Sequence, residues 1–359
     1  MAQMILKKKV EVQNPVLLLT TVGQELVNLY EQYGKDAAIL GIDDLSAKEK
    51  LTERQLKKAQ SQLGLDDSFI VAMQGFQAEY ATQKTAAKES MKQSISYYRK
   101  LKKVLPLLKG EFEDGYDRLD DIVNFFGFDS EEEIFEHASQ TIALYREQNR
   151  SKVDEINLSG WLRRGELDYM KVCEKLPEYD KEGLMSWIET GEWRIKLRHA
   201  TYFKELPKLL RQYGIVVALI PYLSNTVYGA VKWLDGHPIV MVSDRGQDLA
   251  SCWFTLFHEF GHVMLHSDIQ SSVDGCLNES NQTKKDKREH EANKFANKYL
   301  FNGDDLRKHI FQLKREDNYE TVAQIGQLYN VDEMFVGYWM HKAQYYPAAY
   351  AHHTISFAY

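Results

Sequence analysis

Between Trp253 and His266 the sequence reads WFTLFHEFGHVMLH, with His258 and His262 four residues apart. On an α-helix that spacing puts both imidazoles on one face, with about 6 Å of rise between them. Both can then reach a single metal ion, and zinc takes imidazole nitrogen at roughly 2.0–2.1 Å. Glu259 follows the first histidine and points near the same place, where it can take a proton from water activated by the metal. His-Glu-x-x-His is short enough to arise by chance, so its surroundings have to supply the rest of a site.

Two histidines leave a zinc ion in need of a third protein ligand and an open position for water. His266 lies on the same helix face, but it is eight residues from His258, about 12 Å along the axis. The longer pattern that recruits a third histidine, HExxHxxGxxH, also needs a Gly-led break that this chain lacks. His266 therefore reads as a helix-end or core histidine. The next acidic cluster on a helix is Glu289 and Glu291, in REHEANKFANKYL. Glu291 comes 29 residues after His262 (291 − 262), enough for a second helix to pack back across the first. Ala292 beside it permits close approach, and Phe295 and Tyr299 form an apolar stripe that can seat it. We expect Glu291 as the third ligand, with Glu289 and His290 as its competitors.

A helix from Asp248 to His266 has to be held from both sides. Upstream, Ile215 to Leu223 is a strand of β-branched and apolar residues, Val227 to Leu234 alternates, and Ile239 to Ser243 runs back after Asp235-Gly236. An Asp-Gly pair between two such runs is a strong hairpin signal. We expect one hairpin strand, Ile239 to Ser243, to pair with an extended substrate by strand addition. Downstream, a polar loop spans Ser267 to Lys287, followed by an amphipathic helix from Arg288 to Leu300. Three further helices are expected: Asp304 to Leu313, Tyr319 to Tyr329, and Asp332 to Gln344. The tail, YYPAAYAHHTISFAY, is aromatic and carries no motif.

The first half is helical. A short extended start precedes helices from Thr21 to Tyr33, from Thr52 to Gly64, and from Ser68 onwards, with a separate long helix over residues 81–110. Short helices at this spacing are compatible with a helix-turn-helix, which would need basic and amide side chains on its reading helix. The corresponding stretch, Asp36 to Ser46, has three aspartates and no Arg or Lys, so a packing or dimerisation role is favoured. The stripe Lys84, Lys88 and Lys92 reads as a solvated face answering the acidic segment from Glu111 to Asp121. Two helices over 116–147 follow, with Gly127 closing the first and Ser130 capping the second. The stretches LSGWLRRGELDYMKVC, EGLMSWIETGEW and Phe203 to Tyr213 are also helical.

At 359 residues, 44% hydrophobic and 27% charged, the chain can build two or three ordered domains without disulfide staples. Its three cysteines, Cys173, Cys252 and Cys276, are odd in number and scattered, which fits a reducing compartment. Cys252 reads as a small buried hydrophobe. The basic start is broken by Glu, Gln, Asn and Pro, so no signal peptide is expected, and no run of 18 apolar residues suggests a membrane span. A net charge of −7 argues against non-specific DNA binding by the whole chain.

FTLFHEFGHVMLH followed by EHEANKFANKYL resembles the ImmA/IrrE metallopeptidase domain, and the likeness extends from YGAVKWL and PIVMVS to VDEMFVGYWM. It covers roughly residues 200–342. Upstream, LTERQLKKAQSQLGLDDSFIVAMQGFQAEY resembles the later helices of a HigA-type XRE helix-turn-helix antitoxin, with IVNFFGF and GWLRRGE in the spacer. The resemblance implies one Zn2+ held by His258, His262 and Glu291, with Glu259 as general base. It also implies cytoplasmic regulatory proteolysis, with a DNA-binding repressor as protein substrate and a cognate toxin as a second partner. The acidic stretch where a DNA-reading helix would lie leaves operator DNA open.

The expected fold is α+β. A helical, degenerate helix-turn-helix-like region at 1–110 and a helical spacer at 111–199 precede a zincin-like domain at 200–343, with a tail at 344–359. In that domain a small β-sheet supports the HExxH helix, which packs on a second ligand-bearing helix. The expected activity is zinc endopeptidase; the alternatives are a HigA-like regulator or antitoxin, and a scaffold whose site no longer turns over.

Overall fold

The computed structural model describes residues 16, 18–108, 118–146, 153–266, 271–273, 276–277, 282–345 and 353–358. The extended start, the acidic residues from Glu111 to Asp117 and residues 346–352 of the tail lie outside that description. The chain divides into two compact units, Met1–Lys100 with Asp114–Asp120, and Leu101–Glu113 with Asp121–Tyr359.

In the first unit, α1 (Val22–Gln32) and α2 (Glu53–Leu63) begin at Thr21 and Thr52, whose side chains accept hydrogen bonds from the Gln24 and Gln55 amides. Gln55 reaches back to the Thr52 amide and completes a capping box. Their apolar faces meet α3 (Ser68–Leu101) around Leu26, Tyr30, Leu56, Leu63, Phe69 and Met73. The stretch expected to hold two helices is this single 34-residue one. Gln77 to Lys84 contains no Gly or Pro, so nothing interrupts it. Between Asp36 and Ser46 there is no helix but two short 3-10 turns, Ala37–Leu40 and Leu45–Ala47, whose Leu40 and Leu45 are buried. Lys84 pairs with Glu49, and Glu111 to Asp117 of the acidic segment that its stripe was expected to answer lie outside the described residues.

From Asp121 on, the second unit holds most of α4 (Leu119–Phe126) and then α5 (Glu131–Arg146), α6 (Glu155–Met170), α7 (Lys181–Thr190) and α8 (Ala200–Leu209). The sheet comes next, from β1 (Val216–Ile220), β2 (Gly229–Leu234) and β3 (His237–Ser243). Asp235 and Gly236 turn at φ of 49° and 83°, the left-handed pair that a two-residue hairpin needs. With β4 (Ser271–Val273) and β5 (Cys276–Leu277) the strand order is β1-β3-β2-β4-β5, and β3 runs antiparallel to β2 and parallel to β1. This overturns the expectation that Ile239 to Ser243 pairs with substrate, because both edges of β3 are already hydrogen-bonded.

β3 is apolar without alternation because helices cover both of its faces. Val240 and Val242 join the core around α9 (Leu249–Leu265), while Met241 meets Gly165 of α6. α6, expected in a spacer, is thus one layer of the domain that holds the histidines.

β4 (Ser271–Val273) and β5 (Cys276–Leu277) extend the sheet inside the stretch expected to be loop. α10 (Gln282–Phe301) starts six residues (288 − 282) earlier than expected. Its first residues, QTKKDK, have no apolar periodicity to announce a helix. Helices α11 (Asp305–Glu316), α12 (Val322–Tyr329) and α13 (Glu333–Ala343) complete the core.

The tail has a structural role that its lack of motif concealed. The His353 carbonyl accepts from the Leu249 amide at 2.8 Å, and the Phe357 amide donates to Asp244 at 2.7 Å. Ile355 and Phe357 are buried, with Phe357 stacked on Phe203. The start of α9 is therefore held from the far end of the chain.

Candidate metal centre

α9 is capped by Asp248, whose carboxylate accepts from the Ala250 and Ser251 amides. Its apolar side sinks Trp253, Phe257 and Phe260 into the core, where Trp253 and Phe257 pack at a tilt against Trp193. The remaining stripe carries His258 and His262, both buried, with Nε2 atoms 3.1 Å apart.

The third group facing them is Glu289. Its carboxylate lies 3.3 Å from His258 Nε2 and 3.6 Å from His262 Nε2, and one donor atom from each of the three residues falls within 4.8 Å of the others. This corrects the ranking of Glu291 above Glu289. Two residues turn a helix by about 200°, so only one of the pair can face α9. Glu291 points to the rim, where its side chain is 37% exposed and meets His266 Nε2 at 2.9 Å. That contact holds the Glu291 carboxyl below its ordinary pKa. His290, the other competitor, is exposed.

A signal for Glu289 was present in the sequence. Ala292 and Ala296 are the small, fully buried residues of α10. Glu289 lies three residues before Ala292 and seven before Ala296, on their face. Phe295 and Tyr299, the apolar stripe expected to seat Glu291, lie on a neighbouring face.

The two helices approach closely at Gly261. A Cβ there would sit 2.8 Å from Ala292 Cα and 3.1 Å from Phe295 Cβ. Gly261→Ala is expected to cost about 1–3 kcal/mol by overpacking and to lower zinc affinity by separating the ligand-bearing helices. Urea midpoints and zinc titration check this, and an unchanged value for both would overturn the close-packing account.

Outer contacts orient the imidazoles. His258 Nδ1 meets Asn293 Oδ1 at 3.2 Å, His262 Nδ1 meets His266 Nδ1 at 3.2 Å, and His266 Nε2 meets Glu291. One tautomer assignment satisfies the whole chain of bonds. His266 donates to Glu291 through Nε2 and accepts from His262 through Nδ1, while His258 donates to Asn293. Both remaining Nε2 atoms then carry lone pairs directed at each other beside a carboxylate, an arrangement that a cation between them relieves. Burial, followed by the repulsion that protons on both His258 and His262 would create, pushes the His262 imidazole down to about 3, so it is neutral at pH 7, the form that binds metal. Two neutral imidazoles and a carboxylate make a donor set suited to zinc. Asn293 was not singled out from sequence, although it lies four residues after Glu289 and on the same face. His266 does lie at the helix end as expected, and also orients His262.

Glu259 is fully buried against β2, at a place where Gly229 leaves room for it. A Cβ on Gly229 would lie 2.5 Å from Glu259 Oε1 and 2.6 Å from Thr255 Cγ2. A cleft of about 220 Å³ is lined by His258, Glu259 and Glu289 together with Tyr228, Tyr338 and Lys342. Cys252 is buried beneath, and burial pushes its thiol pKa up, which fits a packing role.

Among the described residues no helix is long and apolar enough to cross a membrane. No curated protein matches the chain. Residues 210–341, the span that carries β1, β2, β3, α9 and the facing helix α10, match the family model described as Peptidase_M78, IrrE N-terminal-like domain; this supports the ImmA/IrrE family and points to a zincin-like metallopeptidase.

Proposed function

We propose that this protein is a zinc-dependent endopeptidase in which His258, His262 and Glu289 hold the ion and Glu259 is the general base. The observation that carries the reading is the convergence of these three donors on one point of a cleft that Glu259 also faces. Bound zinc supplies Lewis acidity, which makes water more acidic and polarises a peptide carbonyl. The chain's own residues do the rest. Glu259 takes a proton from the attacking water and delivers it to the leaving amine. Its burial beside Gly229 restricts where its carboxylate can point. Asn293 and the His266–Glu291 pair keep the imidazoles in the ligating tautomer. Tyr228 and Lys342 are the donors we assign to the developing oxyanion. Lys342 Nζ lies 5.8 Å from the Tyr228 ring centroid, so the two donors lie near each other in the cleft lining.

The substrate we propose is a cytoplasmic regulatory protein such as a DNA-binding repressor. For the first unit we favour selection of that protein over operator reading. The burial of Leu40 and Leu45 supports this, as does the absence of Arg and Lys between Asp36 and Ser46.

Protein purified without chelator is expected to carry about one zinc per chain. It should cleave a repressor encoded nearby, lose that activity to a chelator and regain it with zinc. Cleavage that survives complete metal removal, or zinc-loaded protein that cleaves no candidate, rejects the reading.

A further inference from the structure

Beside the metal cleft lies a second, larger trough of about 670 Å³, and Phe254 and Asn293 line both. One wall is α11, which presents Arg307, Phe311 and Arg315 to it. These residues are spaced by four and so form one stripe of the helix. The opposite stripe, Leu306, Ile310 and Leu313, is buried in the core. α10 adds Lys294 to the other wall, and Trp339 contributes an aromatic surface.

The charges in this trough are available to a ligand. The Arg307 guanidinium lies 5.2 Å from the Trp339 ring centroid and 5.7 Å from that of Phe311, so it is held over aromatic carbon. Lys308 is already paired with Asp305 at 3.0 Å. Asp304, the carboxylate in the lining, accepts from Asn297 Nδ2 at 2.5 Å. In a chain of net charge −7, a cationic trough is not a by-product of composition.

We propose that this trough is a specificity subsite for a substrate segment that carries acidic side chains next to an aromatic or large apolar one. Arg307 and Arg315 would take carboxylates through charge-assisted, bidentate hydrogen bonds. Phe311 and Trp339 would take the apolar side chain. The proposal rests on the peptidase reading, because its role comes from adjoining the proposed catalytic cleft.

The test is fluorescence anisotropy with zinc-loaded Glu259→Gln protein, which binds without turning over. The probes are a short labelled peptide with an Asp-Asp-Phe-Asp centre and its Asn-Asn-Phe-Asn counterpart. We expect the acidic peptide to bind about tenfold more tightly, which corresponds to about 1.4 kcal/mol. Arg307→Ala with Arg315→Ala should abolish that preference without altering zinc content or the melting temperature. Equal binding of the two peptides, or a preference that survives the double substitution, overturns the subsite. Cleavage of both peptides by wild type without any binding preference rejects the trough and leaves the peptidase. A preference in binding with no cleavage of any protein or peptide rejects the peptidase and with it the catalytic role of the trough.

Discussion

Glu259→Gln is expected to retain zinc and lose peptide cleavage by about two to four orders of magnitude, the range a general base contributes. The side chain is fully buried, next to the gap that Gly229 leaves, so glutamine can occupy the same volume. What changes is chemical: an amide cannot accept the proton that a carboxylate takes from water. Because Glu259 is outside the proposed donor set, zinc content should match wild type. Single-turnover cleavage of a repressor substrate, alongside metal analysis of the same samples, checks both halves. Cleavage within a few-fold of wild type would remove Glu259 from the mechanism. Loss of activity together with loss of zinc would instead make it a structural part of the metal site.

The second large effect separates two carboxylates on one helix. Glu289→Gln is expected to weaken zinc binding by more than the roughly 10–100-fold that loss of an outer partner costs. Glu291→Gln should weaken it by less than about tenfold. Glu289 lies within 3.6 Å of both facing imidazole nitrogens, whereas Glu291 reaches the site only through His266 and then His262. Competition against a chelating dye gives the two affinities. A larger loss from Glu291→Gln would return the third position to the residue that the sequence favoured.

That pair shows where legibility stops. The spacing of His258 and His262 is a local property, since any helix through those residues puts both on one face. The turn at Asp235-Gly236 was legible for the same reason: the left-handed backbone it needs selects those residue types. The face that α10 turns towards α9 is not a local property. It depends on Ala292 seating against Gly261 across the interface, and Glu289 follows from that contact. Hairpin β2–β3 was readable, but the parallel pairing of β1 with β3 was not, because it depends on register between strands separated by an intervening one. The continuous apolar run of β3 did hint at cover on both faces, yet α6 as the second cover required the contact of Gly165 with Met241.

By itself, then, the sequence determined an α+β chain with two imidazoles and one carboxylate on a single apolar helix after a hairpin. Helical and strand periods encode such features within a few residues. Only the tertiary structure decided which acidic residue faces the histidines, that β3 is paired on both edges and what anchors the start of α9. Each of those depends on which surfaces bury together between parts of the chain that periodicity does not connect.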